Sequence, residues 1–385
     1  MNEPQPELPE LSAAQRAALL HADAVARGRE VDARARLACA LRGAACGTGV
    51  LDHALESVRS CASVVLHFHP DRYGHGPVTV AESLLADGRY RNQYETGLSS
   101  GSRTAFPGGS RDRWERDLFG GVYHQPGVVA AERPKYGALE LVRHPDGPVP
   151  RFGSCYFVLR PAVSERSTFT FGGSEQAGAL ERFGTLPRIY PVIAALLEEI
   201  AGGATTPVPW PPFVAPTLGV PGLTVCGLLA RLAEALPSRR QDPSAGRPGR
   251  VLDSCVEAHV HGPVDLRRDV EALVVDPAFD CTPTGDVLRE VGRLYEIPIY
   301  WHAGFQMLAR DVPDDFRGPA MRSLARRIAP SGRLDTAVIG AAEASLRARP
   351  DEWRDWGTPA EVLQHLKQLW HVLVHYGATA GMPAA

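Results

Sequence analysis

No stretch of the 385-residue chain approaches the roughly 20 consecutive apolar residues that span a bilayer, because Arg, Glu or Pro breaks the longest candidates. A membrane-spanning protein is therefore not expected. The first residues, MNEPQPELPELSAAQRAALLHADAV, lack the basic and apolar segments of a secretory signal. A cytoplasmic location is expected, with delivery as an effector by a non-classical route as the alternative. A charge excess is lacking too: 41 Lys and Arg against 44 Asp and Glu give no bulk field toward nucleic acid or an anionic membrane, so neither is an expected partner. Cysteine is scarce and unpatterned. Cys39, Cys46, Cys61, Cys155, Cys226, Cys255 and Cys281 are odd in number and none lies in a C-x-x-C pair. They read as reduced, mostly buried thiols that build no structural zinc site, in a protein insensitive to reductant. No internal repeat is visible.

What is present suffices for a large core, since 44% of the residues are hydrophobic. Residues 1–62 read as a helical N-terminal segment, with Leu19, Ala22, Ala26, Leu37 and Leu41 at helical spacing. The pattern changes at Ser63. Val64–Phe68 reads as a buried strand stopped by Pro70, and the chain from there to about Gly153 reads as largely irregular with short helical pieces such as Val78–Leu85. Further strands are expected at Ser154–Leu159, Ser167–Phe171, Val256–Val260 and Glu271–Val275, with helices at Pro191–Ile200 and Leu223–Leu236. Between these, residues 237–250 have the composition of a surface loop. Beyond Asp286 the pattern is helical to His375. The expectation is an α+β fold, a small mixed β-sheet embedded in helices, with a catalytic region at 63–310 and a helical C-terminal segment at 311–385.

Four segments carry side chains suited to chemistry. In Val256–Gly262 (VEAHVHG), strand alternation puts Glu257, His259 and His261 on one face and Val256, Ala258 and Val260 on the other. In His67–Arg72 (HFHPDR), His67 and His69 share a face and Asp71 and Arg72 follow at the turn. Arg166–Gly172 places Ser167, Thr168 and Thr170 on one short strand. Gly88–Gly101 (GRYRNQYETGLSSG) is dense in hydrogen-bonding groups, with Tyr90, Arg91, Gln93, Thr96 and Ser99 suited to phosphate and ring contacts. Each has a bland reading: an exposed polar strand face for the first, an ordinary strand exit for the second, strand packing for the third and a solvated loop for the fourth.

Taken in order, HFHPDR, STFTF and VEAHVHG resemble the three-part constellation of the ADP-ribosyltransferase fold, with Arg or His on a first strand, a Ser/Thr-rich second strand and a catalytic Glu on a later one. The chain from about 63 to 305 also resembles a family of uncharacterised bacterial proteins sharing RYRNQYETGLS, RPKYGALEL, GSCYFVL and EAHVHGPV. The transferase resemblance implies an enzyme acting on NAD, releasing nicotinamide and passing ADP-ribose to an unidentified protein or small acceptor, or to water. It implies Glu257 as the catalytic carboxylate, with His259 beside it and Ser167 and Thr168 bracing it. Arg72, His67 and His69 would hold the ribose or diphosphate, and Tyr90, Arg91, Gln93, Thr96, Ser99, Thr168 and Thr170 would complete the dinucleotide site. Many transferases carry a second Glu or Gln two residues from the first; here those positions are His259 and Cys255. Glu271 is a competing glutamate, disfavoured because its run is otherwise apolar.

Two readings from other classes stay open. The two H-x-H pairs, with Asp71, Glu257 and His302, could gather around zinc as in a metal-dependent hydrolase. The polar strands could also bind a nucleotide without turning it over.

Overall fold

The computed structural model of the chain describes residues 9–98, 105–202, 218, 220, 222–234 and 256–379. The proline-rich stretch from Thr205 to Pro216, the loop composition at 237–250, Cys255 and Ser99 lie outside them.

Twelve strands are present among the described residues: β1 (Val64–Phe68), β2 (Arg89–Tyr90), β3 (Lys135–Leu139), β4 (Cys155–Leu159), β5 (Ser167–Phe171), β6 (Phe183–Thr185), β7 (Val256–Val260), β8 (Val264–Asp265), β9 (Val270–Val275), β10 (Ile299–Trp301), β11 (Gln306–Leu308) and β12 (Arg333–Asp335). Eight form one sheet in the order β10-β9-β4-β1-β3-β7-β5-β6. Every pairing in it is antiparallel except β10 with β9, so the sheet is mixed and the fold is α+β. The sheet is larger than the small one expected. The stretch read as irregular contains β3, which lies at its centre between β1 and β7, and the helical stretch beyond Asp286 contains β10 at its edge.

The strand β3 carries Gly137 at its middle because no other residue fits. A Cβ there would collide with the carbonyl oxygen of Val65 on β1. That close approach lets two short strands pair tightly at the point where the site is built.

One face of the sheet is the main core. Val64, Leu66 and Phe68 of β1, Phe157 of β4, Phe169 and Phe171 of β5, and Val256, Ala258 and Val260 of β7 pack in one apolar cluster with Leu37, Leu55, Ile193, Leu197 and Leu228 from the helices Ala13–Gly43, Thr48–Cys61, Tyr190–Gly202 and Val225–Ala233. Burial at alternate strand positions against continuous helix stripes is what holds this layer. The N-terminal helices are thus structural. A second apolar cluster runs from Phe305 to Val374 around Trp370, so the C-terminal helices have a core of their own.

Cys46 and Cys226 form a disulfide with Cα atoms 5.9 Å apart, which corrects the expectation of reduced thiols throughout. Helix packing brings the two together across 180 residues, a proximity that sequence spacing does not encode. Of the remaining described cysteines, Cys155 is buried while Cys39, Cys61 and Cys281 are exposed, so the thiols are not mostly buried either. No described helix is long and apolar enough to cross a membrane.

Candidate functional site

Glu257, His259 and His261 do share one face of β7, but β7 is an interior strand and the face is covered. Both histidine residues are 0% exposed. Phe119 meets their rings edge-on at 5.6 and 5.2 Å, Tyr136 meets His259 at 5.1 Å, and Tyr123 stacks on His261. An exposed polar face on an edge strand is therefore not what the alternation encodes here.

Buried polar groups of this kind need partners, and these bond to one another. Tyr123 Oη is 2.6 Å from His261 Nδ1, Thr168 Oγ1 is 3.2 Å from His261 Nε2 and 3.1 Å from His259 Nδ1, and His259 Nε2 is 2.8 Å from Glu257 Oε1. One assignment of protons satisfies every member. Tyr123 donates to His261, His261 donates to Thr168, Thr168 donates to His259, and His259 donates to Glu257. The chain thus delivers a directed N–H to the carboxylate.

Glu257 ends this chain with 21% of its side chain exposed. Burial alone would raise its pKa. The hydrogen bond from His259, the charge of Arg111 and the backbone amide of Ser174, at 3.0 Å, outweigh burial and hold the carboxyl low, at about 2. It is an anion and an acceptor at any ordinary pH.

The carboxylate lines a cavity of about 370 Å3, within the range of roughly 300–1,000 Å3 typical of small-molecule sites. Eight of the residues singled out from the sequence line this one cavity: Glu257, His67, His69, Arg72, Tyr90, Arg91, Gln93 and Thr96. Arg89, Arg111, Arg151 and Lys367 bring its cations to six with Arg72 and Arg91, against the two carboxylates of Glu257 and Glu343. Tyr136, Phe68 and Phe152 supply aromatic surface. The arrangement suits an anionic ligand with a ring.

Most of these side chains also bond within the protein. Arg72 is not free to grip a ligand by itself: it ion-pairs with Glu343 from the helix Thr336–Ala348. The Nδ1 of His67 lies 2.9 Å from the Gly153 carbonyl oxygen and its Nε2 accepts from the Val149 amide at 3.5 Å; burial pushes its pKa down to about 3. His69 packs edge-on against Trp370, ring centroids 5.0 Å apart, and burial holds it well below the usual imidazole range. The Tyr90 hydroxyl donates to the His67 carbonyl at 3.2 Å, Arg91 pairs with Asp87 at 2.7 Å, and the Thr96 hydroxyl donates to the Asn92 carbonyl at 3.0 Å. The Gln93 Oε1 is buried without a partner.

Ser167 does not brace Glu257. Its register partner is Val260, and its hydroxyl donates to the Val163 carbonyl at 2.8 Å on the opposite face. Thr168 supports the carboxylate only through His259, and Thr170, directly opposite Glu257, has a buried hydroxyl with no partner. Glu271 is exposed on β9, which is separated from β7 by β4, β1 and β3, and does not line the cavity.

Tyr136, Arg111, Arg151, Glu343, Gln364 and Lys367 are cavity residues that the sequence reading missed. Tyr136 lies in RPKYGALEL, a segment whose strand character is masked by Lys, Gly and a preceding Pro. The C-terminal helices contribute one wall, through Glu343, Leu363, Gln364 and Lys367.

His302 accepts from the Gly304 amide through Nδ1 at 2.9 Å, and its Nε2 lies 2.8 Å from the Ser154 carbonyl oxygen. Among the described residues no group of three or more His, Cys, Asp or Glu is arranged to hold a metal ion.

Over residues 63–376 the chain matches DUF3626, a family of proteins of unknown function, and it belongs to that family. The match includes the cavity-lining C-terminal helix Pro359–Tyr376 and excludes the N-terminal helices. Among curated proteins none matches the chain.

Proposed function

We propose that this chain is an enzyme that cleaves the nicotinamide–ribose bond of NAD and passes ADP-ribose to a protein or small acceptor, or to water, on a sheet of ADP-ribosyltransferase type. The observation that carries the reading is the ionised Glu257, held by His259 at the edge of a cavity walled by arginines and aromatic rings. The Ser/Thr-rich strand β5 lies beside the glutamate strand, with Thr170 opposite Glu257, and the residues leaving β1 line the same cavity.

The proposed chemistry follows from those parts. The bond from ribose C1′ to the nicotinamide nitrogen breaks with both electrons leaving on nicotinamide. Positive charge develops on the ribose, and the fixed carboxylate of Glu257 stabilises it while accepting a hydrogen bond from a ribose hydroxyl. The acceptor then bonds C1′ and loses its proton. A carboxylate held by a hydrogen-bond donor fixed behind it needs no reorganisation as the charge appears.

The test is to incubate purified protein with NAD, with and without a chelator, and to measure free nicotinamide and ADP-ribose adducts by mass spectrometry. Nicotinamide release that survives chelation supports the proposal. No NAD turnover, with stoichiometric metal in the native protein, favours a metal-dependent hydrolase instead.

A further inference from the structure

Arg111 occupies the second position of the helix Ser110–Leu118 and is 7% exposed. Its guanidinium carbon sits 4.1 Å from the centre of the Tyr136 ring, and it lines the same cavity as Glu257. Its Nε and Nη1 are buried with no hydrogen-bond partner. The neighbouring carboxylates are engaged elsewhere. Asp112 and Glu115 each hold Arg133 at 2.8 Å, and Glu115 also accepts from the Tyr136 hydroxyl at 3.0 Å. Burying a guanidinium while leaving its donors unmet is costly, and folds seldom retain such an arrangement without an acceptor to complete it.

Two other cations of the cavity have carboxylate partners, although the Nε of Arg72 is itself buried without one. Arg72 is paired with Glu343 and Arg91 with Asp87. Arg111 is instead fixed by a ring face on the cavity wall, with neither its Nε nor its Nη1 bonded to an acceptor of the protein.

We infer that Arg111 is the anion anchor of the cavity, binding a phosphate oxygen of a diphosphate-bearing nucleotide next to Glu257, the role the sequence had suggested for Arg72. The inference rests on the proposed function for the nucleotide and its diphosphate; the anion site stands on Arg111 itself.

The experiment is calorimetric titration of the full chain with inorganic diphosphate and with ADP-ribose, in the wild type, Arg111→Met, Arg111→Lys and Arg293→Met. Arg293 is an exposed arginine outside the cavity, and its variant removes the same formal charge. Both ligands bind the wild type and Arg293→Met alike. Arg111→Met weakens both by about tenfold or more, the loss expected for a charge-assisted hydrogen bond, and Arg111→Lys falls between. The unliganded melting temperature of Arg111→Met is equal to or above that of the wild type, because unmet buried donors have been removed; a purely structural arginine would lower it. Absence of diphosphate binding by the wild type, unchanged affinity in Arg111→Met, or unfolding of both Arg111 variants overturns the inference. Diphosphate binding that depends on Arg111, in a wild type that leaves NAD intact, upholds the anion site and removes the NAD reading.

Discussion

His259 Nε2 lies 2.8 Å from Glu257 Oε1, two residues away on the same face of β7, and the imidazole is wholly buried while the carboxylate reaches the cavity. The pair converts a strand's two-residue period into a fixed donor behind an anion at the cavity's edge. In His259→Phe burial acts on Glu257 with less opposition, so its pKa rises from about 2. The acidic limb of the pH–rate profile for NAD cleavage is expected to move to higher pH by at least about one unit. Stability follows the same sign. A carboxyl depressed in the fold stabilises it above the unfolded value near 4.3, and this is lost as pH falls through about 2. Acid unfolding should therefore show a steeper loss in the wild type than in the variant, a difference on the order of 2–3 kcal/mol.

The two adjacent hydroxyl residues of β5 separate cleanly. Thr168→Val interrupts the hydrogen-bond chain behind His259 and is expected to lower the rate of NAD cleavage about tenfold. Ser167→Ala, whose lost bond is to the Val163 carbonyl, should leave the rate within about twofold while lowering stability by about 1 kcal/mol. Steady-state rates and denaturant melts of both variants check this.

That contrast shows what was legible in the sequence. Strand period alone assigns Glu257, His259 and His261 to one face and Val256, Ala258 and Val260 to the other, and β1, β5 and β7 fall where the apolar patterns place them. Which face meets a cavity, and which neighbour covers it, is set by strands distant in sequence. The strand β3 was hidden because five residues with Gly137 at the centre carry too little apolar pattern, yet it brings Tyr136 beside His259. Arg111 lies in SRDRWERDL, whose charged composition gives no sign of burial; in the fold its guanidinium lies over the Tyr136 ring.

The disulfide predicts sensitivity to reductant where the cysteine spacing predicted none. Reduction, or Cys46→Ser, releases a cross-link spanning 180 residues and should lower stability by about 2–5 kcal/mol. Melting temperatures with and without reductant, compared between wild type and Cys46→Ser, give the readout, and the variant itself should not respond to reductant.

Asp71 titrates in the opposite sense to Glu257. Burial, offset only partly by the Arg72 charge, raises its carboxyl to about 6, and its Oδ2 occupies the place that a Cβ on Gly340 would take. A carboxyl raised in the fold contributes stability below its unfolded value near 3.9, and that contribution is lost as pH rises through about 6. Asp71→Asn should match the wild type near pH 4 and exceed it at pH 8 by about 1–3 kcal/mol, read from melting temperature against pH.

The most direct measurement is the rate of nicotinamide release from NAD by the wild type and by Glu257→Gln, with circular dichroism to confirm that both fold. The account predicts release by the wild type and a loss of at least about a hundredfold in the variant, because a neutral amide cannot stabilise the developing ribose cation. Equal rates in the two proteins would contradict it.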